Sequence, residues 1–298
     1  VDAMAAYVYA KGGQWTQLAE SLKAQGKPSL EIAKAYYQGR NFGKAAEYAN
    51  KSSGVEAAKI VAQSYLNLGD TKKAMAAYTK LIAMAPKSEY IANLANLQFK
   101  AGDKKAYKET LAKLIKADPS PANWKLLLGN LKRQPLPDAA KLGLYMLLAE
   151  TQNLEGIEDT LEFAKLAIVT GSPTMGKMIL VDSKSTDPQV QGLIKSSDAR
   201  IAAANAAQAK LAASSNPSDQ LRAGRALLGA GNYPAALALF QKAAGDARAA
   251  PEANLFIGLT KLKSGHPGEA MTILKAIPDG SAYGDIAGLW ALYSTTKK

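Results

Sequence analysis

Along most of the chain, apolar residues return every three or four positions, the period of a helix with one face turned inward. In the stretch "NLGDTKKAMAAYTKLIAMAP", residues 67–86, a Gly-Asp pair marks a turn, Ala74, Tyr78 and Leu81 share one face, and Pro86 stops the run. The same order returns in "KAGDKKAYKETLAKLIKADP" at 100–119, "GAGNYPAALALFQKAA" at 229–244 and "KSGHPGEAMTILKAI" at 263–277. The residue after each turn falls at Trp15, Phe42, Thr71, Lys104, Pro137, Pro173, Tyr233 and Pro267, with spacings of 27, 29, 33, 33, 36, 60 and 34. A recurrent interval near 34 with a turn in its middle predicts stacked helical hairpins. The 60-residue interval leaves room for one more helix. Residues 187–217 supply it: Asp187 can cap, Pro188 suits a first turn, and Val190, Ile194, Ile201 and Leu211 form a stripe. The last stretch, "YGDIAGLWALYSTTKK", predicts a capping helix whose Ile286, Leu289 and Leu292 cover the final hairpin.

These repeats resemble the tetratricopeptide repeat family, which places small residues at repeat positions 8 and 20, bulky ones at 4, 7, 11, 17 and 24, and proline at 32. Val61, Ala62, Tyr65, Ala74, Tyr78, Leu81 and Pro86 fit one repeat, and Leu94, Ala95, Leu111, Leu114 and Pro119 the next, although Tyr107 stands where a small residue is usual. Trp124, Leu127, Ala140 and Leu144 follow, then Gly224, Tyr233, Ala236 and Phe240, then Gly258, Ala270, Leu274 and Ile277. The match is loosest over 145–217. The resemblance implies an all-α solenoid in which small residues let paired helices approach and larger ones fill the groove under the next pair. Three parts are expected: 1–186, an N-terminal block of hairpins; 187–214, a connecting helix; and 215–298, two hairpins with the capping helix.

Composition narrows the chemistry. The 298 residues include no cysteine and a single histidine, His266, which removes disulfides, thiolate sites and multi-histidine zinc sites. No apolar run approaches the roughly 20 residues of a membrane helix. Residues 1–150 hold 22 basic against 12 acidic side chains, residues 151–298 hold 15 against 13, and lysine supplies 31 of the 37 basic residues. A nucleic-acid reader leans on arginine, so a nucleic-acid partner is not expected. The lack of cysteine, the lysine-rich body and a start at Val1 point to an exported, periplasmic bacterial protein, with the cytoplasm as the alternative.

Two motifs suggest chemistry. "GSPTMGKM", residues 171–178, fits seven positions of a phosphate-binding loop, but Met178 replaces the hydroxyl that holds magnesium, and "TLEFAKLAIVTG" before it has helical rather than strand spacing. It falls where the repeat places its inner turn. His266 occupies the turn position held elsewhere by Asp70, Asp103 and Asn232, which suits a cap or a solvated side chain. The pair Glu155 and Asp159 reads as helix-surface charge. No catalytic residue, metal site or cofactor is expected.

By the resemblance, positions 2, 5, 6, 9, 12 and 13 of each first helix face a concave groove, where one subgroup clamps a peptide's terminal carboxylate with lysine and asparagine. Lys59, Gln63 and Asn93 are near matches to that clamp; Ala122 and Leu126 depart from it. Lys34, Asn67, Asn96, Lys100, Lys125 and Lys132 fall on or near the same face, and Tyr37 offers an aromatic contact. The expected function is therefore a non-catalytic module that binds an extended, acidic or carboxylate-bearing polypeptide. The alternative is an assembly scaffold of a bacterial envelope complex, acting through the convex face or by self-association.

Overall fold

The computed structural model describes residues 2–129 and 131–297, with side chains from Met4 onwards. Among the described residues all regular structure is helical, eighteen α-helices and one short 3-10 turn. Two compact units divide at Asp118 and Pro119. The boundary expected at 186/187 falls inside the second unit, at the start of its longest helix.

The first unit is four consecutive hairpins: α1 (Asp2–Lys11) with α2 (Trp15–Ala24), α3 (Ser29–Gln38) with α4 (Phe42–Ala49), α5 (Val55–Asn67) with α6 (Thr71–Met84), and α7 (Ser88–Lys100) with α8 (Lys104–Ala117). Each helix also packs on the next, so the pairs form a row. The turn chemistry explains the recurring Gly-Asp. Gly69 and Gly102 end their helices at φ +72° and +75°, a left-handed conformation that costs glycine little. The next residue then caps the following helix: Asp70 accepts from the Lys73 N–H at 3.0 Å, and Asp103 from the Ala106 N–H at 3.0 Å. Asn41 does the same for α4 through the Lys44 N–H, at 3.3 Å.

Small residues sit where close approach requires them. Ala62 and Ala74 are fully buried, with Tyr36, Tyr78 and Leu81 filling the space between hairpins. Tyr107, too large for its position, stays half-buried, and its ring lies 5.4 Å from that of Phe99. Phe99 remains 65% exposed.

The second unit begins with α9 (Pro121–Leu128), the 3-10 turn Leu131–Arg133 and α10 (Asp138–Glu150). It continues through α11 (Gly156–Val169), α12 (Pro173–Asp182), α13 (Pro188–Ala213), α14 (Pro217–Gly229), α15 (Tyr233–Ala243), α16 (Ala250–Lys263), α17 (Pro267–Lys275) and α18 (Gly284–Ser294). Seven of the eight predicted second helices start on the predicted residue. The eighth, α10, starts at Asp138, with Pro137 just before it. Close approach is again glycine-dependent. A Cβ on Gly224 would lie 2.5 Å from the Phe240 ring, and one on Gly258 2.5 Å from Leu274 Cγ.

Here the unit departs from a simple row. The capping helix α18 covers α16 and α17 as expected, and it also packs on α10, near the unit's other end. Trp290 Nε1 donates to the Gly143 carbonyl at 2.9 Å, and Tyr293 Oη donates to Glu150 Oε2 at 2.6 Å. Gly143 leaves room for this: a Cβ there would sit 3.3 Å from both Ile286 and Leu255. Accordingly α10 is buried on almost every side, from Ala139 through Leu148.

Candidate partner-binding face

Eight of the ten residues singled out from the sequence lie on the first helices of three successive hairpins in the first unit. Lys34 and Tyr37 stand on α3; Lys59, Gln63 and Asn67 on α5; Asn93, Asn96 and Lys100 on α7. Spacings of three and four residues place each set along one side of its helix. The α3 and α5 sides meet: Lys34 Nζ reaches Glu56 Oε1 at 3.3 Å. Tyr37 is half-buried, its ring 5.4 Å from Phe42 in an edge-on contact. Asn67 turns back to donate to the Gln63 carbonyl at 2.8 Å.

The lysines differ in how they are engaged. Lys34 is held by Glu56, and away from this side Lys44 donates to Glu20 at 2.8 Å. Among the described residues neither Lys59 nor Lys100 has a carboxylate within ion-pairing distance. Beside Lys100, the exposed Phe99 adds an apolar surface that the sequence reading passed over. It occupies position 12 of its repeat, one of the groove positions, so the signal was present in the register.

Glu20 shows what full engagement does. The Lys44 ammonium, then the Tyr36 hydroxyl at 2.5 Å, hold its carboxyl down at about 2, and burial together with Glu20 pushes Tyr36 up to about 12. A depressed carboxyl contributes stability that is complete above its unfolded value near 4.5 and lost as the pH falls towards 2. Tyr36→Phe is expected to move the Glu20 midpoint upward, readable by carboxyl-carbon NMR titration; an unmoved midpoint would contradict the contact.

Lys125 and Lys132 belong to the second unit, where both are already paired. Lys125 meets Glu155 at 2.7 Å, and Lys132, in the 3-10 turn rather than on α9, meets Asp159 at 2.7 Å and Glu155 at 3.5 Å. Asp159 is buried, not the surface charge expected, and accepts the Glu155 N–H at 2.7 Å at the start of α11. His266 precedes α17 but its side chain makes no capping bond; its Nδ1 lies 3.2 Å from the Ser264 hydroxyl. "GSPTMGKM" runs from the end of the turn after α11 into the first six residues of α12, it is preceded by helix, and its Lys177 is bound to Asp198 at 2.6 Å.

Paired helices repeating through both units, with variable polar residues along the first helix of each pair, define a helical-hairpin repeat protein. Tetratricopeptide repeat family models match residues 60–88, 93–120 and 227–282. The chain belongs to the tetratricopeptide repeat proteins. No curated protein matches it in sequence. Among solved structures it is similar to a tetratricopeptide repeat protein from Parabacteroides merdae, at 13% identity over 98% of this chain and 96% of that one, TM-score 0.34. It is also similar to the TPR2AB domain of yeast Sti1 in its pHSP90 complex, at 16% identity over 90% of this chain and 97% of that one, TM-score 0.30. Likeness at this level says nothing about partners. The repeats themselves mark a protein–protein interaction module, and among the described residues no helix is long and apolar enough to cross a membrane.

Proposed function

We propose that the first unit binds an extended, acidic or carboxylate-bearing polypeptide along the sides of α3, α5 and α7, without catalysis. The carrying observation is that, among the described residues, Lys59 and Lys100 have no carboxylate within ion-pairing distance while Phe99, beside Lys100, is exposed. Lysine ammonium groups and the Asn93 and Asn96 amides supply donors for carboxylates and backbone carbonyls, and Phe99 supplies an anchor for an apolar side chain. Exposed ion pairs contribute about 0–1 kcal/mol each, so affinity comes from several contacts acting together. Because Lys125 and Lys132 are already paired, the reading rests on the first unit.

The test is charge reversal. Lys59→Glu with Lys100→Glu is expected to weaken binding of a fluorescein-labelled, aspartate- and glutamate-rich peptide at low salt by about tenfold or more. Unchanged anisotropy curves would contradict the assignment.

A scaffold role has one observation in its favour: of the 26 residues of α13, only Val190 and Ser197 are buried. That leaves a long helix side open for assembly. Light scattering that shows a strict monomer at high concentration would remove self-association. The lysine-rich, cysteine-free body supports a bacterial periplasmic location, which cell fractionation tests directly.

A further inference from the structure

The two edges of the first unit differ in charge. Each helix packs on the one before it across a short turn and so runs antiparallel to it. The four turns inside the hairpins therefore fall along one edge of the row, and the three turns between hairpins along the other. At the first edge the helix ends, turns and first helical turns that follow span residues 11–18, 38–45, 67–74 and 100–107. They hold eight basic and two acidic side chains. At the other edge, residues 24–32, 49–58 and 84–91 hold three of each.

Both acids of the first edge are already engaged. Asp70 and Asp103 cap α6 and α8, and Asp70 also holds Lys73 at 3.0 Å. Lys72, Lys104 and Lys105 are exposed, and among the described residues none has a carboxylate within ion-pairing distance. Apolar side chains stand among these lysines. Leu68, in the turn after α5, is 51% exposed, and the exposed Phe99 closes α7 with the Tyr107 ring against it. The other edge also exposes an apolar residue, Met84, but among balanced charges.

We infer that this edge docks on the surface of an anionic phospholipid bilayer, its lysines over the headgroups and Leu68 and Phe99 set among them. A row of point charges suits a diffuse sheet of negative charge, which asks for no fork geometry and so for no arginine. The attraction acts within a Debye length, roughly 10 Å at moderate salt. Long lysine stems keep the ammonium groups in water while the apolar pair sits deeper. Leu68 favours a bilayer over a nucleic acid: a leucine neither stacks on bases nor pairs with phosphates, whereas the headgroup boundary accepts it. The inference goes beyond the peptide-binding reading and shares only Phe99 and Lys100 with it, so other residues test it.

The full chain is sedimented with vesicles of equal parts phosphatidylglycerol and phosphatidylcholine, and with vesicles of phosphatidylcholine alone. Binding is expected to the anionic vesicles only, and it should fall steeply as salt is raised. Lys72→Glu with Lys105→Glu is expected to weaken it at least about tenfold, and Leu68→Ser about fivefold. Met84→Ser, on the other edge, is expected to leave it unchanged. The chain has no cysteine, so a single one can carry an environment-sensitive dye. The dye on Ala101→Cys is expected to shift to the blue with anionic vesicles, and on Met84→Cys to stay in place. Equal binding to both kinds of vesicle overturns the inference, and so does undiminished binding by the double lysine variant. A blue shift at Met84→Cys without one at Ala101→Cys would place the wrong edge on the bilayer and overturn it too. Binding to duplex DNA with none to the anionic vesicles would assign the lysines to a nucleic acid instead.

Discussion

Trp290→Ala is expected to destabilise the second unit by about 3–5 kcal/mol, the usual cost of removing a large aromatic from a core. Domains of this size have about 5–15 kcal/mol in total, so the loss is a large fraction of what holds the unit together. Trp290 is almost fully buried, stacks edge-on with Tyr293 at 5.3 Å and donates its N–H to the Gly143 carbonyl. Its loss opens a cavity between α10 and α18 and leaves that carbonyl without its indole donor. Tyr293 and Lys263 would still hold Glu150 from the same side. Burial works to raise the Glu150 carboxyl, but those two donors outweigh it and hold it below the ordinary value. Urea unfolding followed by circular dichroism checks the prediction. A lower midpoint confined to one of two transitions is expected; an unchanged curve would mean that the α10–α18 contact contributes little. Trp290→Phe, which keeps most of the bulk and loses the donor, should fall between.

The second large effect is expected at Arg225. Its Nε donates to the Thr170 carbonyl at 2.7 Å, and its Nη1 pairs with Glu252, which also accepts from Tyr283 Oη at 2.6 Å. Burial lowers the guanidinium from its ordinary value, and Glu252 opposes that shift. Arg225→Met therefore leaves a largely buried carboxylate without its cation and an acceptor without its donor, a loss of about 3–5 kcal/mol. Replacing both partners with neutral side chains is far less costly in general. Adding Glu252→Gln to Arg225→Met is expected to recover part of the loss in a double-mutant cycle. If the double variant is as unstable as the sum of the two single ones, the pair does not act as a unit.

These two clusters also mark where sequence reading stopped. Helix starts were legible because their signals are local: a glycine at positive φ, then Asp70, Asp103 or Asn232 reaching three residues ahead. The meeting of α10 and α18 is not local. Trp290 and Gly143 are 147 residues apart, and a helical period says only that a face is apolar, not which distant helix covers it. The run "LGLYMLL" in α10, apolar on all sides, was the one available hint of a helix enclosed within a unit.

The same limit applies to the charged side chains. The register placed Lys34, Lys59, Lys100, Lys125 and Lys132 on their elements, except that Lys132 belongs to a 3-10 turn. It could not show that Glu56, Glu155 and Asp159, each from another element, would engage three of the five. Phe99 was obscured differently. An apolar residue in a helical stripe is read as core, and only the oversized Tyr107 beside it indicates that the hairpin's end stays open. His266 kept the position of a cap without its chemistry, because an imidazole does not reach the N–H groups that a carboxylate or amide reaches.

The central claim is that the α3, α5 and α7 sides of the first unit hold another chain. Site-specific photo-crosslinking in the native cell tests it most directly, with the crosslinker placed in turn at Gln63, at Asn96 and at the exposed Lys113 of α8. The account predicts one shared polypeptide captured from Gln63 and Asn96 through an acidic segment, and little from Lys113. Capture from Lys113 alone, or a basic segment at Gln63 and Asn96, would contradict it.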